Sequence, residues 1–256
     1  MITHPAPISV QLYSLRDQAA TDFPGVLTRL GEIGFVGVEL AGLHGMGTAE
    51  FNSVIGDAGL VVSSAHVGNA SPDAFNTALD DVQAVGCDTA VVAFLPPATF
   101  ADADEISRAA DAMNAAADVA ASRGVALGYH NHWWEFEQAI NGRRAWDVFF
   151  DQLNPTIFAE LDIYWATVGR ADPAQVITDL GDRLRLLHVK DGPADDPAAE
   201  MVAVGSGAID VAGVLHGARQ AAWHIVELDR CDTDMFEAVA ASYDYLTGEG
   251  LSRGRA

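Results

Sequence analysis

The sequence predicts an α/β protein that folds as a (β/α)8 TIM barrel, and three observations support that class. Apolar runs of strand length recur eight times along the 256 residues, at intervals of roughly 30 residues, the length of one βα unit. Helical patterns lie between these runs, and half of all residues are hydrophobic, which allows a large core. Because no Gly/Ser/Pro-rich linker or block of charge divides the chain, residues 1–256 are predicted to form one domain.

The elements follow one another in a regular order. The predicted strands are residues 8–13, 35–40, 60–66, 89–95, 124–130, 156–162, 184–189 and 223–228, all rich in aliphatic side chains. An early helix over Phe23 has Asp22 as a candidate cap, and an Ala-rich helix from Asp104 to Ser122 ends at Gly124. Continuous apolar strands are typical of a parallel sheet covered by helices. An open doubly wound sheet has the same local signature, but eight units favour a closed barrel.

Charge and composition argue against several classes of protein. The formal net charge is -22, which opposes binding to nucleic acids and anionic membranes because both are polyanions. No apolar run is long enough to span a bilayer, and Met1–Pro5 does not resemble a signal peptide, so a soluble cytoplasmic protein is expected. Cys87 and Cys231 are expected to be free thiols. No glycine-rich phosphate-binding motif follows the first strand, so a nucleotide cofactor is not indicated.

Four polar residues end four of the predicted strands: His130, Asp162, His188 and Glu227. In a (β/α)8 barrel the reactive groups project from the carboxyl ends of the strands, so these side chains should face one cavity. Imidazole and carboxylate together suit Mn, Fe, Co or Zn better than Mg alone. The sequence therefore predicts a divalent metal site. A lone strand histidine is more often a core residue, and for His130 a supporting position behind the ligands stays open.

Other residues are predicted to surround this site. Glu39 ends the second strand and His66 the third, and both are expected to bind substrate hydroxyls or to orient ligand side chains. Helix capping or backbone hydrogen bonding is the alternative for each. Trp165 is predicted to form an apolar wall on which a sugar ring stacks, with simple packing as its alternative. Strand alternation also places Glu160 on the same face as Asp162.

Six short segments follow one another in the order and at the spacing of a barrel: Gln11–Asp17, Gly34–Glu39, Tyr129–His132, Leu161–Trp165, His188–Asp191 and Val226–Asp229. Together they resemble the sugar phosphate isomerase/epimerase family, whose members have a xylose isomerase-like TIM barrel. By this resemblance Asp162, His188 and Glu227 match the last three of four metal ligands, often for manganese, that commonly run Glu, Asp, His, Glu; Mg, Co, Fe and Zn are alternatives. His130 stands where many members have Glu.

The resemblance implies a metal-dependent isomerase or epimerase that acts on a keto-sugar or related polyol through an enediolate or enolate. Epimerases of the family use two carboxylates as proton acceptor and donor, and only Glu227 of that pair is present. The pattern at Tyr129–His132 also resembles inosose dehydratase and 3-keto-sugar lyase members, which makes β-elimination with His132 as the base the alternative. Lys190 would then bind a substrate oxygen or stabilise an enolate.

A third interpretation is a non-catalytic sugar-binding protein or subunit of a larger complex. DNA cleavage by a fold-related endonuclease is opposed by the net charge of -22. The expected partner is a small-molecule sugar or polyol, with no nucleic acid and no membrane, and a homo-oligomer stays open. No cluster of Arg or Lys at the strand ends marks a phosphate site, which favours an unphosphorylated substrate.

Overall fold

The eight barrel strands run parallel and close on themselves in a computed structural model that describes residues 5–68 and 72–255. Each predicted strand is present, which confirms the fold class. The barrel strands are β1 Ile8–Gln11, β2 Gly37–Leu40, β3 Val61–Val67, β4 Thr89–Val92, β5 Ala126–His130, β8 Phe158–Asp162, β9 Leu184–Val189 and β10 Trp223–Val226. The order around the barrel is β1-β10-β9-β8-β5-β4-β3-β2.

Helices connect the strands and cover the outside of the barrel. A two-stranded hairpin of β6 Ala139–Ile140 and β7 Arg143–Arg144 interrupts the connection between β5 and β8. The helices are α1 Arg16–Ile33, α2 Thr48–Asp57, α3 Pro72–Ala84, α4 Ala103–Ser122, α5 Trp134–Glu137, α6 Ala145–Phe150, α7 Ile163–Val168, α8 Pro173–Leu180, α9 Val211–Gly217 and α10 Met235–Gly248.

Two predicted helices show how local chemistry sets their limits. The Ala-rich helix α4 matches its prediction, since Asp102 accepts hydrogen bonds from the backbone of the first turn and Gly124 adopts a φ of 73° just after the end. Helix α1 begins earlier than expected, at Arg16. Asp22 leaves helical geometry inside it, with φ -149° and ψ 76°, and its carboxylate accepts from the Gly25 N–H at 2.9 Å. Asp22 therefore caps the second half of a kinked helix.

The barrel interior is polar at the carboxyl ends of the strands and apolar beneath those ends. Val91, Phe158, Leu186 and Ile225 form a separate buried cluster inside the strands. A Cβ on Gly128 would lie 2.2 Å from the Phe158 ring, so only glycine leaves room for that ring there. This apolar cluster lies beneath the polar side chains that occupy the carboxyl ends of the strands. Within the described residues, no helix is both long and apolar enough to cross a lipid bilayer.

Candidate metal centre

The four residues predicted as metal ligands lie together at the carboxyl end of the barrel. His130 and Asp162 end β5 and β8, His188 lies near the end of β9, and Glu227 follows β10. One nitrogen or oxygen from each of the four lies within 4.8 Å of the others, and all four residues are buried. Neighbouring strands of a parallel sheet end at a similar level. In the pairing of β8 with β9, Asp162 lies directly beside His188. Their role as ligands stays a prediction, while their convergence is an observation.

Both ring nitrogens of His188 face carboxylate groups. Its Nδ1 lies 2.7 Å from Glu227 Oε2, while its Nε2 lies 2.9 Å from Glu39 Oε1 and 3.2 Å from Glu160 Oε2. Burial alone would lower the pKa of this imidazole. The surrounding carboxylates outweigh burial and raise the pKa of His188 well above its ordinary value. His188 is thus a strongly proton-binding group unless another cation takes the charge.

Lys190 places a positive charge next to two of the predicted ligands, Asp162 and Glu227. Its Nζ lies 2.7 Å from Glu227 Oε2, 3.0 Å from Asp162 Oδ2 and 2.7 Å from Asp229 Oδ2. Burial opposes the charge, but the three carboxylates outweigh it and raise the pKa of Lys190 well above its ordinary value. Lys190 is therefore an ammonium at neutral pH. It is suited to donate hydrogen bonds and not to act as a base.

Glu39 and His66 lie next to the predicted ligands: Glu39 contacts His188, and His66 contacts Glu160. Glu39 is fully buried and accepts hydrogen bonds from Gln11 Nε2 at 2.6 Å and from Ser64 Oγ at 2.6 Å. His66 Nε2 lies 2.9 Å from Glu39 Oε1 and 2.7 Å from Glu160 Oε2. Burial opposes the charge of His66, but the two carboxylates raise its pKa to about 10. Substrate binding and ligand orientation by this pair stay predictions, and the side-chain contacts of both residues are compatible with orientation of a ligand.

Glu160 was given no role by the sequence, although strand alternation placed it on the face of Asp162. It is fully buried, and burial and the charge of Glu39 raise the pKa of its carboxyl group. The register between β8 and β9 shifts at Ala159/Glu160, and the register between β2 and β3 shifts at Val38/Glu39. Such irregularities redirect side chains near functional sites. Both buried glutamates follow one.

His132 and Trp165 belong to an aromatic wall above the ligands. The His132 ring stacks on Trp134 at a centroid distance of 4.3 Å and an angle of 9°, and Trp165 lies 6.4 Å away. Lys190 Nζ lies 5.4 Å from the centre of the Trp165 ring. Burial and the charge of Lys190 lower the pKa of His132 to about 3, so this imidazole is neutral at pH 7. The exposed Phe94 meets His132 edge-on and continues the wall toward solvent.

Glu135 is a further buried carboxyl group whose function the sequence does not indicate. It accepts a hydrogen bond from Tyr129 Oη at 2.7 Å and one from the His132 backbone N–H at 3.0 Å. Burial raises its pKa to about 7, against an ordinary value of 4.5. Glu135 therefore fixes the backbone that carries His132. Its signal in the sequence is a charged residue inside the apolar and aromatic segment Trp133–Phe136.

Comparison of the sequence with known protein families identifies the family of this barrel. The family described as xylose isomerase-like TIM barrel matches residues 27–242, which is most of the chain. The chain belongs to the xylose isomerase-like TIM barrel family. This agrees with the predicted resemblance. A search of curated proteins finds no match.

Solved structures with sequence identities below 25% share the fold of this family member. A sugar phosphate isomerase/epimerase from Parabacteroides distasonis has a TM-score of 0.84 and 24% identity, covering 98% of this chain and 97% of that one. The probable 3-DHS dehydratase AsbF from Bacillus anthracis has a TM-score of 0.74 and 14% identity, covering 94% and 98%. A D-allulose 3-epimerase from Methylomonas sp. has a TM-score of 0.70 and 15% identity, covering 96% and 98%.

The side chains of this xylose isomerase-like barrel fit a divalent ion. Imidazole nitrogens and carboxylate oxygens are the donors that such ions take in proteins. Within the described parts of the chain, the buried Glu160 Oε1 has no hydrogen-bond partner, and the buried Asp162 Oδ2 has the ion-pair contact with Lys190 Nζ at 3.0 Å but no hydrogen bond. Burial raises the pKa of Asp162 to about 6 despite the nearby Lys190 ammonium. A bound cation would relieve the cost of these buried oxygens.

Proposed function

We propose that this protein is a divalent-metal-dependent enzyme that moves a proton beside the carbonyl group of a keto-sugar or related polyol, as an isomerase or epimerase. The observation that carries the proposal is the convergence of His130, Asp162, His188 and Glu227 within 4.8 Å at the strand ends of a barrel. Two carboxylates and two neutral imidazoles would balance one divalent charge. By resemblance manganese is the first candidate ion.

The ion would be held by those four residues. When bound, it supplies Lewis-acid stabilisation of negative charge on a substrate oxygen. Lys190, whose ammonium faces Asp162, Glu227 and Asp229, would donate a hydrogen bond to a second substrate oxygen in place of one of these three contacts. Trp165 provides the apolar face on which the carbon skeleton of a sugar rests.

Glu227 is the proton acceptor in this proposal. Burial opposes ionisation of its carboxyl group, but Lys190 and His188 outweigh burial and lower its pKa, so the carboxylate is ionised at neutral pH. It would take the proton from the carbon next to the carbonyl and return it to the neighbouring carbon, while a proton passes between the two oxygens; epimerisation would need a second proton donor on the opposite face. A carboxylate fixed in this position raises the rate because proton transfer needs no diffusional encounter.

Elimination is the second candidate, and His132 is the observation that favours it. Its imidazole is neutral at pH 7 and one ring nitrogen carries a lone pair, although a pKa of about 3 makes the ring a weak base; its buried Nδ1 has no hydrogen-bond partner among the described residues. The imidazole would remove the α-proton, the carbon–oxygen bond at the β-position would break, and the leaving group would depart as an alcohol or water after protonation. A non-catalytic sugar-binding protein is the outcome if neither reaction occurs.

Proton exchange tests the proposal directly. The metal-loaded protein is incubated in D2O with a panel of unphosphorylated keto-sugars and keto-inositols, and loss of the α-proton is followed by NMR. Isomerisation or epimerisation gives deuterated sugars that keep all their oxygen atoms, whereas elimination gives an unsaturated ketone with ultraviolet absorbance. His132→Gln and Glu227→Gln separate the two bases. Absence of exchange with every substrate, in protein shown to bind the ion, would overturn the enzyme proposal.

A further inference from the structure

Asn131 continues the contact between strands β5 and β8 beyond the last residue of β5. The backbone pairing of these strands ends at His130 beside Glu160, while β8 runs on to Asp162. The Asn131 side chain takes over from there. Its Oδ1 accepts from the Asp162 backbone N–H at 2.9 Å, and its Nδ2 donates to the Asp162 backbone carbonyl at 3.2 Å. A side-chain amide offers the same acceptor and donor as a peptide group, so Asn131 replaces the missing strand neighbour.

This amide lies inside the protein. Asn131 is fully buried, so water does not compete for its hydrogen bonds with Asp162. A buried backbone N–H or carbonyl without a partner is costly, and the amide satisfies both groups of Asp162. On its other side, Asp162 is paired with His188 of β9. The backbone of this predicted ligand is therefore held from both neighbouring strands.

The two oxygens of the Asp162 carboxylate have different surroundings. Oδ1 accepts from the Trp165 backbone N–H at 2.8 Å and caps the start of helix α7. Oδ2 lies 3.0 Å from Lys190 Nζ and 3.9 Å from His130 Nε2, and it has no hydrogen-bond partner among the described residues. Because the helix engages Oδ1, Oδ2 is the oxygen left for an ion.

We propose that Asn131 is a positioning residue that fixes Asp162 so that Oδ1 caps α7 and Oδ2 alone is presented to the metal ion. The inference rests on the proposed metal-dependent function and deepens it, since it names how one ligand is held. Asn131 acts through Asp162 and is not itself a ligand, because its amide is engaged with the backbone of Asp162. The same contact links the ligand to Trp165, the predicted sugar-stacking residue.

An amide that only joins β5 to β8 is the competing interpretation. Such an amide would stabilise the fold and have no specific effect on the ion. Asn114 offers a matched comparison, because its amide also bridges two backbone groups: Oδ1 accepts from the Asn154 N–H at 2.7 Å, and Nδ2 donates to the Gln152 carbonyl at 3.0 Å. Asn114 lies on α4, outside the barrel.

Metal affinity separates the two interpretations. Leucine resembles asparagine in shape but has no hydrogen-bonding group, so Asn131→Leu and Asn114→Leu each remove a bridging amide. Binding of Mn2+ is followed by the EPR signal of the free ion, and stability by urea unfolding. Asn131→Leu should still bind one ion at saturation but about 10- to 100-fold more weakly, the range typical of losing a group that supports a ligand. Asn114→Leu should lower stability and keep the wild-type affinity.

Two results of this comparison would overturn the proposal. One is an Asn131→Leu protein that binds Mn2+ as tightly as wild type. The other is an equal loss of affinity in Asn131→Leu and Asn114→Leu, which would attribute the effect to stability alone.

Amide exchange provides a readout that needs no metal. In metal-free wild type the Trp165 N–H should be protected by its hydrogen bond to Asp162 Oδ1. In Asn131→Leu this N–H should exchange faster relative to the amides of β2, which lies opposite β8 in the barrel and reports the global loss of stability. An unchanged ratio between Trp165 and β2 would overturn the role of Asn131 in setting the carboxylate.

Two further outcomes keep the tests apart. If wild-type protein binds no ion after reloading, the proposed function fails, and the exchange of the Trp165 N–H alone decides whether Asn131 fixes Asp162. If Asn131→Leu does not fold, Asn131→Ser takes its place, because its shorter side chain does not bridge both backbone groups of Asp162. Wild-type affinity in that variant would overturn the proposal.

Discussion

Glu135 gives the sharpest prediction about stability, because its buried carboxyl group titrates near neutral pH. Burial moves its pKa from an ordinary 4.5 to about 7. Between these values the folded protein keeps a proton that the unfolded chain has lost, so the free energy of unfolding falls as pH rises through this window. At about 1.4 kcal/mol per pKa unit, the loss amounts to about 3 kcal/mol by neutral pH.

Glu135→Gln removes this titration while keeping the shape of the side chain. The amide oxygen can accept from the His132 N–H, and the amide nitrogen can donate to Tyr129 Oη. Urea unfolding of both proteins is measured at a series of pH values from about 4 to about 8. The stability of the variant relative to wild type should grow by about 3 kcal/mol across the window, whatever its offset at low pH. Parallel curves for the two proteins would refute the assignment of a raised pKa to Glu135.

Three further perturbations test separate parts of the structure. Gly128→Ala should destabilise the protein by about 1–3 kcal/mol in urea unfolding, because the new Cβ meets the Phe158 ring at 2.2 Å. Gly217→Ala, which meets open space, is the control, and equal stability of the two variants would contradict this packing. Asp191→Ala should lower the melting temperature and speed proteolysis between residues 192 and 209, because the carboxylate accepts backbone hydrogen bonds from Gly192, Gly205, Gly207 and Ile209. An unchanged cleavage pattern would show that other contacts hold this loop. Metal binding at pH 7 should release protons, because the raised pKa of His188 keeps it protonated until the ion displaces the proton. Calorimetry in buffers of different ionisation enthalpy measures this release, and identical heats in all of them would oppose ligation by His188.

The sequence predicted the barrel well because each strand is a separate apolar run. The same periodicity found the four candidate ligands, since each lies at the end of its strand or within one residue of that end. It also placed Glu39 and His66 at the site but gave Glu160 no role, and the strand register shifts just before Glu160. A shift of that kind is a property of strand pairing and leaves no local pattern in either strand.

Other differences have equally local causes. The start of α1 at Arg16 was missed because the non-helical Asp22 divides the helix, and the sequence signal of a cap there points to the second half alone. The 2.7 Å contact between Lys190 and Glu227 could not be read from alternation, because it joins two neighbouring strands and not two positions within one. Such contacts depend on the stagger of the closed barrel.

Metal content tests the central claim most directly. Elemental mass spectrometry is applied to purified wild type, His130→Ala and His188→Ala after reloading with manganese, with His216→Ala as a control because His216 is exposed on α9. We expect one divalent ion per chain in wild type and in the control, and loss or strong weakening of binding in the other two variants. No ion in wild type, or equal metal content in all four proteins, would contradict a metal centre at these strand ends.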